Sequence, residues 1–424
     1  MHDAGDASDP SADADETGAP SRLKRVLTLP LLTMYGIGTT VGAGIYVLTG
    51  TVIGVAGPLA PLSFLAAACL AGLSAASFAE LSSRMPRSAG EALYVREGLR
   101  MPRLSVLVGL LVAASGTISS AVLTKGFTGY LGVLLDWPAP VFTAVLVAGL
   151  MLLAIWGIRE AVTVAAVITL LEVAGLVLVV WVARDGLADA GAWADAVADD
   201  VRRPAWVAAL ASGAVLAFFA FIGFEDMVNV AEEVRDVRRT MPRAILLTLV
   251  VTTFLYFAVS LVALLSTAAV DLHRSEAPLA EIYARATGAS ALPVVFVGTL
   301  AIVNGALIQI IMGSRVLYGL AAQGQLPPVF AALHPTRKTP IVATLAVGFC
   351  VVLLALLFPL EGLARLTSVV VLCVFTLVNA SLVALKWRAE TDDAGGFRVP
   401  VWVPLGGAAA SAGLVVYEFG SIVF

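Results

Sequence analysis

The chain has 424 residues, of which 59% are hydrophobic and only 13% charged, with a formal net charge of −4. Its mean hydropathy of +0.95 is far from that of a water-soluble globular chain and places most of it in lipid. Neither the composition nor the charge points to nucleic acid as a partner.

The first twenty residues, MHDAGDASDPSADADETGAP, are acidic and lack an apolar h-region. They read as a disordered cytoplasmic tail, residues 1–22, rather than a signal peptide. Beyond it, apolar runs of roughly 20 residues, the length that crosses a hydrocarbon core, recur to the end of the chain. They lie near 29–55, 57–83, 104–133, 139–156, 161–183, 205–231, 243–268, 291–322, 340–359, 364–386 and 401–421, which predicts about eleven transmembrane helices. With the N-terminus inside, eighteen of the 26 lysines and arginines fall on cytoplasmic segments, six on external ones, and Lys125 and Arg315 within spans. That bias fixes the orientation, and eleven spans would leave Phe424 outside.

Lipid tolerates non-helical backbone only where it lines an enclosed cavity, so helix interruptions are informative. The first run, LLTMYGIGTTVGAGIYVLTG, crowds Gly36, Gly38, Gly42 and Gly44 beside Thr39 and Thr40. The sixth, LAFFAFIGFEDMVNVAEEV, sets Gly223 before Glu225 and Asp226 near mid-span. Paired interruptions five spans apart point to inverted repeats around a midplane site. Gly36, Gly38 and Gly42 also form a GxGxxxG string, but a nucleotide loop needs a strand before it and a helix after, whereas these flanks are membrane helix. Close helix packing through the Gly38–Gly42 pair is the competing reading.

Ionisable groups within spans are costly and need a partner or a purpose. Glu172 lies about 16 Å into the fifth run at 1.5 Å per residue, near the midplane. It is the candidate proton carrier, because a buried carboxyl can load and release a proton near neutral pH. The alternative is an ion pair with Lys125, placed at similar depth on the third run. Glu225 and Asp226 follow the second interruption, where either could line a solvated inward vestibule. Glu80, Arg84, Glu232, Glu233 and Arg315 sit near cytoplasmic helix ends, where ion pairs could close an inner gate or side chains could snorkel. Asn304 is a lone amide on the eighth run. Cys69, Cys350 and Cys373 all fall in apolar runs and read as small buried hydrophobes, not a disulfide or metal framework. His2, His273 and His334 are scattered in the tail and in loops, and no nucleophile, base and metal set appears within the spans, so an enzyme is not expected. No cofactor and no metal are expected.

GIGTTVGAGIYVLTG, AGPLAPLSF, FAELSSRMPRSAG, FFAFIGFEDMVNVAEEVRDVRRTMPRAI and SRVLYGLAAQGQLP follow one another between about 30 and 330. In that order they resemble the amino acid, polyamine and organocation (APC) superfamily of permeases, particularly its cationic amino acid transporter branch. The resemblance implies an all-α integral membrane protein with a ten-helix core of two inverted five-helix repeats (LeuT-type), helices one and six unwound at mid-membrane. The core would span 23–388, and 389–424 would add a cytoplasmic loop and one further transmembrane helix. The substrate would be an amino acid, its carboxylate bound by backbone N–H groups around Gly38, Thr39, Thr40, Gly42, Ala43 and Gly44. Its ammonium would meet carbonyls around Phe219, Ala220, Phe221, Ile222 and Gly223, with Phe219 matching a position that often holds an aromatic gate. Glu225 matches a family glutamate linked to gating. Where some proton-coupled relatives carry a lysine on the fifth helix, this chain has Glu172, so a lysine-based coupling does not transfer. The expectation is a multi-pass permease of the plasma membrane, N-terminus cytoplasmic, most simply a proton symporter. An exchanger, an uncoupled facilitator, or a nutrient sensor that binds without translocating remain alternatives.

Overall fold

The computed structural model describes residues 27–86, 90–132, 137–156, 161–266, 269–275, 277–322, 324–334, 339–388 and 396–423. The acidic tail predicted over 1–22 lies outside the described residues, as do Arg337, Lys338 and most of the loop expected after residue 388. Among the described residues the chain is all helical apart from an isolated parallel bridge between Leu27 and Val234.

In chain order the helices are α1 (Leu29–Val41), α2 (Ala43–Ala56), α3 (Ala60–Arg84), α4 (Gly90–Leu99), α5 (Pro102–Gly132), α6 (Ala139–Trp156), α7 (Ala161–Val182) and α8 (Ala190–Val201). There follow α9 (Trp206–Phe219), α10 (Val237–Ser266), α11 (Ala269–Arg274), α12 (Pro278–Thr287), α13 (Leu292–Ala322), α14 (Ile341–Leu357), α15 (Leu360–Trp387) and α16 (Trp402–Val423). A 3₁₀ segment, Glu225–Glu233, continues the chain after α9. Five stretches are long and apolar enough to cross a membrane unaided, Gly44–Arg84, Pro102–Gly129, Val237–Ser266, Leu292–Ala322 and Leu360–Trp387. A sixth arises if the bent pair Val167–Val182 and Arg184–Val201 counts as one span. Leu29–Val41 and Trp206–Phe219 are shorter apolar helices, and each stops at an interruption.

The outward faces are apolar, with Leu152, Phe254 and Phe349 each about two-thirds or more exposed. In water such a surface would be unfavourable; against acyl chains it is the expected solvent-facing side. The cysteines follow this rule rather than the buried reading expected of them. Cys69 and Cys350 are exposed and Cys373 is intermediate, because each sits on an apolar helix face that lipid would cover.

Inside, α10 runs along α3 and α13 runs along α5. A cluster of rings fixes the region after α9: Phe375 of α15 lies 5.3 Å from Phe78, 5.4 Å from Phe224 and 5.6 Å from Phe218, centroid to centroid. Such pairs add about 0.5–1.5 kcal/mol each beyond their burial. They anchor both flanks of the second interruption to α3 and α15. Arg365 of α15 holds the last helix, donating to Glu418 of α16 at 2.9 Å.

Candidate functional site

The first interruption is a single residue. Pro30 near the start of α1 suits a helix N-terminus, whose early N–H groups have no intrahelical partner anyway. At Gly42 the backbone departs from helical values (φ −24°, ψ −153°), and α2 restarts at Ala43 with no side chain capping it. The first N–H groups of α2 are therefore available to a ligand, and they carry the positive end of the helix dipole. The second interruption runs from Ala220 to Phe224, with Gly223 at φ 127°, a conformation that side chains rarely adopt.

The two interruptions press against each other. A Cβ placed on Gly44 would lie 2.6 Å from Ala220 Cα, and one on Gly223 would lie 2.4 Å from the Thr39 carbonyl oxygen. Hydrogen bonds then stitch them. The Thr39 hydroxyl is 2.9 Å from the Gly223 carbonyl oxygen and 3.0 Å from that of Gly36. Tyr256 of α10 sets its hydroxyl between both breaks, 2.8 Å from Thr40 O and 2.9 Å from Ala220 O. The Ile222 N–H donates to Phe219 O at 3.2 Å, closing the turn. Each carbonyl used once keeps a second lone pair for a ligand.

A cleft opens between the breaks, lined by Thr39, Thr40, Gly42, Gly44, Phe219 and Ile222 and completed by Ser119, Leu123, Gly305 and Gln309 of α5 and α13. It encloses about 290 Å³ including its mouth. Of the predicted ligand-facing set, Gly38 packs elsewhere, against Thr169 of α7, where an added Cβ would fall 2.1 Å from the hydroxyl oxygen. Ala220 and Phe221 are buried behind the cleft, Phe221 packed edge-on against Tyr256 at 5.0 Å. Ala43 belongs to α2, but its side chain lies outside the described residues.

A second cavity adjoins the first through the shared residues Ile222 and Gln309. Glu225 and Asp226 line it together with Glu91 of α4, which sequence reasoning missed because α4 reads as an ordinary connecting segment. Glu225 Oε2 accepts from the Gly223 N–H at 2.9 Å, and Asp226 Oδ2 accepts from Gln309 Nε2 at 3.1 Å. Burial pushes the Glu91 carboxyl up from its ordinary value to about 8.

Glu172 is fully buried but lines neither cavity. Asn304 Nδ2 donates to its Oε1 at 3.4 Å, while Oε2 has no partner, and the Tyr46 hydroxyl donates to its main-chain oxygen at 2.7 Å. Lys125 does not pair with it; its ammonium donates to Ala355 O of α14 at 2.9 Å. At the helix ends expected to face the cytoplasm, Glu80 gathers Lys386 Nζ and the Val399 N–H, each at 2.7 Å, and pairs with Arg84. This ties α3 to α15 and to the segment leading into α16, whereas Arg315 is exposed and joins no described ion pair. The side chains of Glu232 and Glu233 lie outside the described residues.

A family model described as Amino acid permease matches residues 27–422. The chain belongs to the amino acid permease family. It is 31% identical over 388 residues to the vacuolar cationic amino acid transporter 2 of Arabidopsis thaliana, covering 86% of this chain and 60% of that protein. Against the mouse cationic amino acid transporter 4 the identity is 29% over 404 residues, covering 88% and 62%. An uncharacterized transporter of Mycobacterium tuberculosis is 32% identical over 377 residues, covering 88% and 82%. This permease thus spans less than two thirds of the length of the named cationic transporters it matches. Membership of a permease family fits the apolar spans, and relatives named vacuolar and mitochondrial leave the kind of membrane open.

Proposed function

We propose that this permease is a secondary active transporter of amino acids that works by alternating access. The reading rests on one observation above the rest: two helix breaks meet face to face around a cleft, one presenting uncapped N–H groups and the other turn carbonyls. A zwitterion fits that polarity. Its carboxylate would sit at the start of α2, beside Thr40, Gly42 and Gly44, and its ammonium would face the carbonyls around Phe219 and Ile222. Phe219 would close over it.

The architecture that goes with this reading is a ten-helix core over 23–388 in two inverted five-helix repeats, with α16 as an added helix and the N-terminus cytoplasmic. The chain would serve the plasma membrane, in keeping with the charge bias between its two sides. Glu172 is the proposed proton carrier. Its lack of an ion pair with Lys125 and its single amide partner suit a group that changes charge during the cycle.

The full chain reconstituted into liposomes tests both parts. Labelled amino acid should accumulate when the outside is made acidic, and Glu172→Gln should abolish that accumulation while leaving counterflow exchange within about twofold. Accumulation that persists in Glu172→Gln would remove Glu172 from coupling. Binding without any uptake or counterflow would overturn transport in favour of a sensor.

A further inference from the structure

Two walls of the cleft are tied together behind it by one residue of α7. That helix runs along the first broken span, Thr169 against Gly38 of α1 and Gly175 against Tyr46 of α2, where an added Cβ would fall 2.8 Å from the hydroxyl oxygen. Glu172 lies between them, and its main-chain oxygen accepts from the Tyr46 hydroxyl at 2.7 Å. Tyr46 stands one turn past the restart of α2 at Ala43, so the backbone of Glu172 is fixed to the helix start that offers N–H groups to the cleft. Its carboxyl reaches the opposite wall. Asn304 of α13 donates to Oε1 at 3.4 Å, and the next residue, Gly305, lines the cleft, where an added Cβ would lie 3.9 Å from Gly42 Cα.

At 3.4 Å the amide contact is long, and such bonds change steeply in strength with distance. A closer donor favours the charged carboxylate, and a withdrawn one favours the neutral acid. Other titratable groups on the elements packed against α7 have contacts or places of their own. Tyr256 of α10, which interacts electrostatically with Glu172, sits between the breaks, and Glu281 and Arg285 of α12 pair at 2.7 Å. Arg184 and Asp185, which pair at 4.0 Å, and Asp189 lie beyond the end of α7. Arg238, Arg239 and Arg243 occupy the first turns of α10 and Arg315 the last turns of α13; the rest are Tyr35, Tyr283 and Tyr318. We propose that Asn304 is a positioning residue that links occupancy of the cleft to the proton on Glu172. A ligand that changes the separation of the α2 start from α13 moves the amide relative to the carboxyl. The proton adds at Oε2, which is buried without a hydrogen-bond partner, and Oε1 stays with the amide. The inference rests on the transport reading for the cleft and for Glu172, and adds how the two communicate.

The purified full chain in weak buffer with a pH indicator tests the link, with L-alanine and L-arginine as probes. At pH 7 a saturating amount of the probe that binds should draw protons onto the protein, since a proton that favours the ligand is favoured by it in turn. Glu172→Gln should abolish that proton uptake. Asn304→Leu, close in size but without a donor, should cut it at least fivefold while the affinity for the probe stays within tenfold. Asn304→Gln, which keeps an amide, should retain more than half. Adding Asn304→Leu to Glu172→Gln should change the affinity less than twofold, because a residue that acts through the carboxyl then has nothing to act on. Wild-type proton uptake in Asn304→Leu, equal losses in the Leu and Gln variants, or a further loss of affinity in the double variant would overturn the link. Counterflow in liposomes with no ligand-linked proton uptake would sink the link and leave transport standing. Proton uptake that depends on Asn304, in a protein with no counterflow, would sink transport and leave the link standing. Binding of neither probe would overturn both.

Discussion

The cleft and the acidic cavity share Ile222 and Gln309 but are made from opposite materials. The cleft is main chain: the uncapped start of α2, the turn after α9, and hydroxyls that brace both. The cavity is side chain: three carboxyls, of which Glu225 accepts from the Gly223 N–H and Asp226 from the Gln309 amide. Main-chain groups can recognise only what every amino acid has in common, the carboxylate and the ammonium. Carboxyl side chains can tell one substrate from another, because a charge without its counter-charge is strongly disfavoured in a poorly solvated site. On the proposed transport reading the cleft would bind the groups that all amino acids share, and the cavity beside it is built from different material.

The largest effect should come from separating the two breaks. Gly44→Val puts a branched side chain where even a Cβ would lie 2.6 Å from Ala220 Cα, and backbone cannot swing aside as a side-chain tip can. Uptake of all amino acids, neutral or cationic, should fall at least about 100-fold, since a misplacement of about 1 Å can cost that much in a preorganised site. If Gly44→Val left uptake near wild type, the meeting of the two breaks would not be the substrate site. A smaller effect is expected at the hydroxyl that spans both breaks. Tyr256→Phe keeps the ring against Phe221 but removes the donor facing Thr40 O and Ala220 O. A lost buried hydrogen bond of about 1–3 kcal/mol should raise KM roughly tenfold for neutral and cationic amino acids alike.

These two residues also mark what could be read in advance. Gly44 stood out in the sequence because glycines crowd one apolar run, and the break they create is where the run length and composition put it. The second break was legible from Gly223 followed by two acids. Tyr256 was not, since a tyrosine in an apolar helix looks the same whether it braces a site or fills a core. Ser119 and Gln309 were hidden for a similar reason: which face of α5 or α13 meets the cleft depends on packing against other helices, and a helix apolar on every side has no periodicity that reveals it. The glycines divide between the two readings given to them, a break at a site and close helix packing. Gly44 and Gly223 allow close approach between the breaks, whereas Gly38 serves packing on α7, so one motif divides between two tasks.

The smallest effect separates the cavity from the cleft by stability rather than transport. Buried Glu91, with Asp226, Glu225 and Tyr94 as its acidic neighbours, has a carboxyl raised from an ordinary 4.5 to about 8. The folded chain then binds more protons than the unfolded one between those values, so this group's contribution to stability is full below about 4.5 and is lost as pH rises through about 8. Glu91→Gln, which cannot ionise, should remove that slope: its Tm should match wild type at pH 5 and exceed it by a few degrees at pH 8.5. Equal Tm values for the two proteins at pH 8.5 would mean that the Glu91 carboxyl is not the source of the slope.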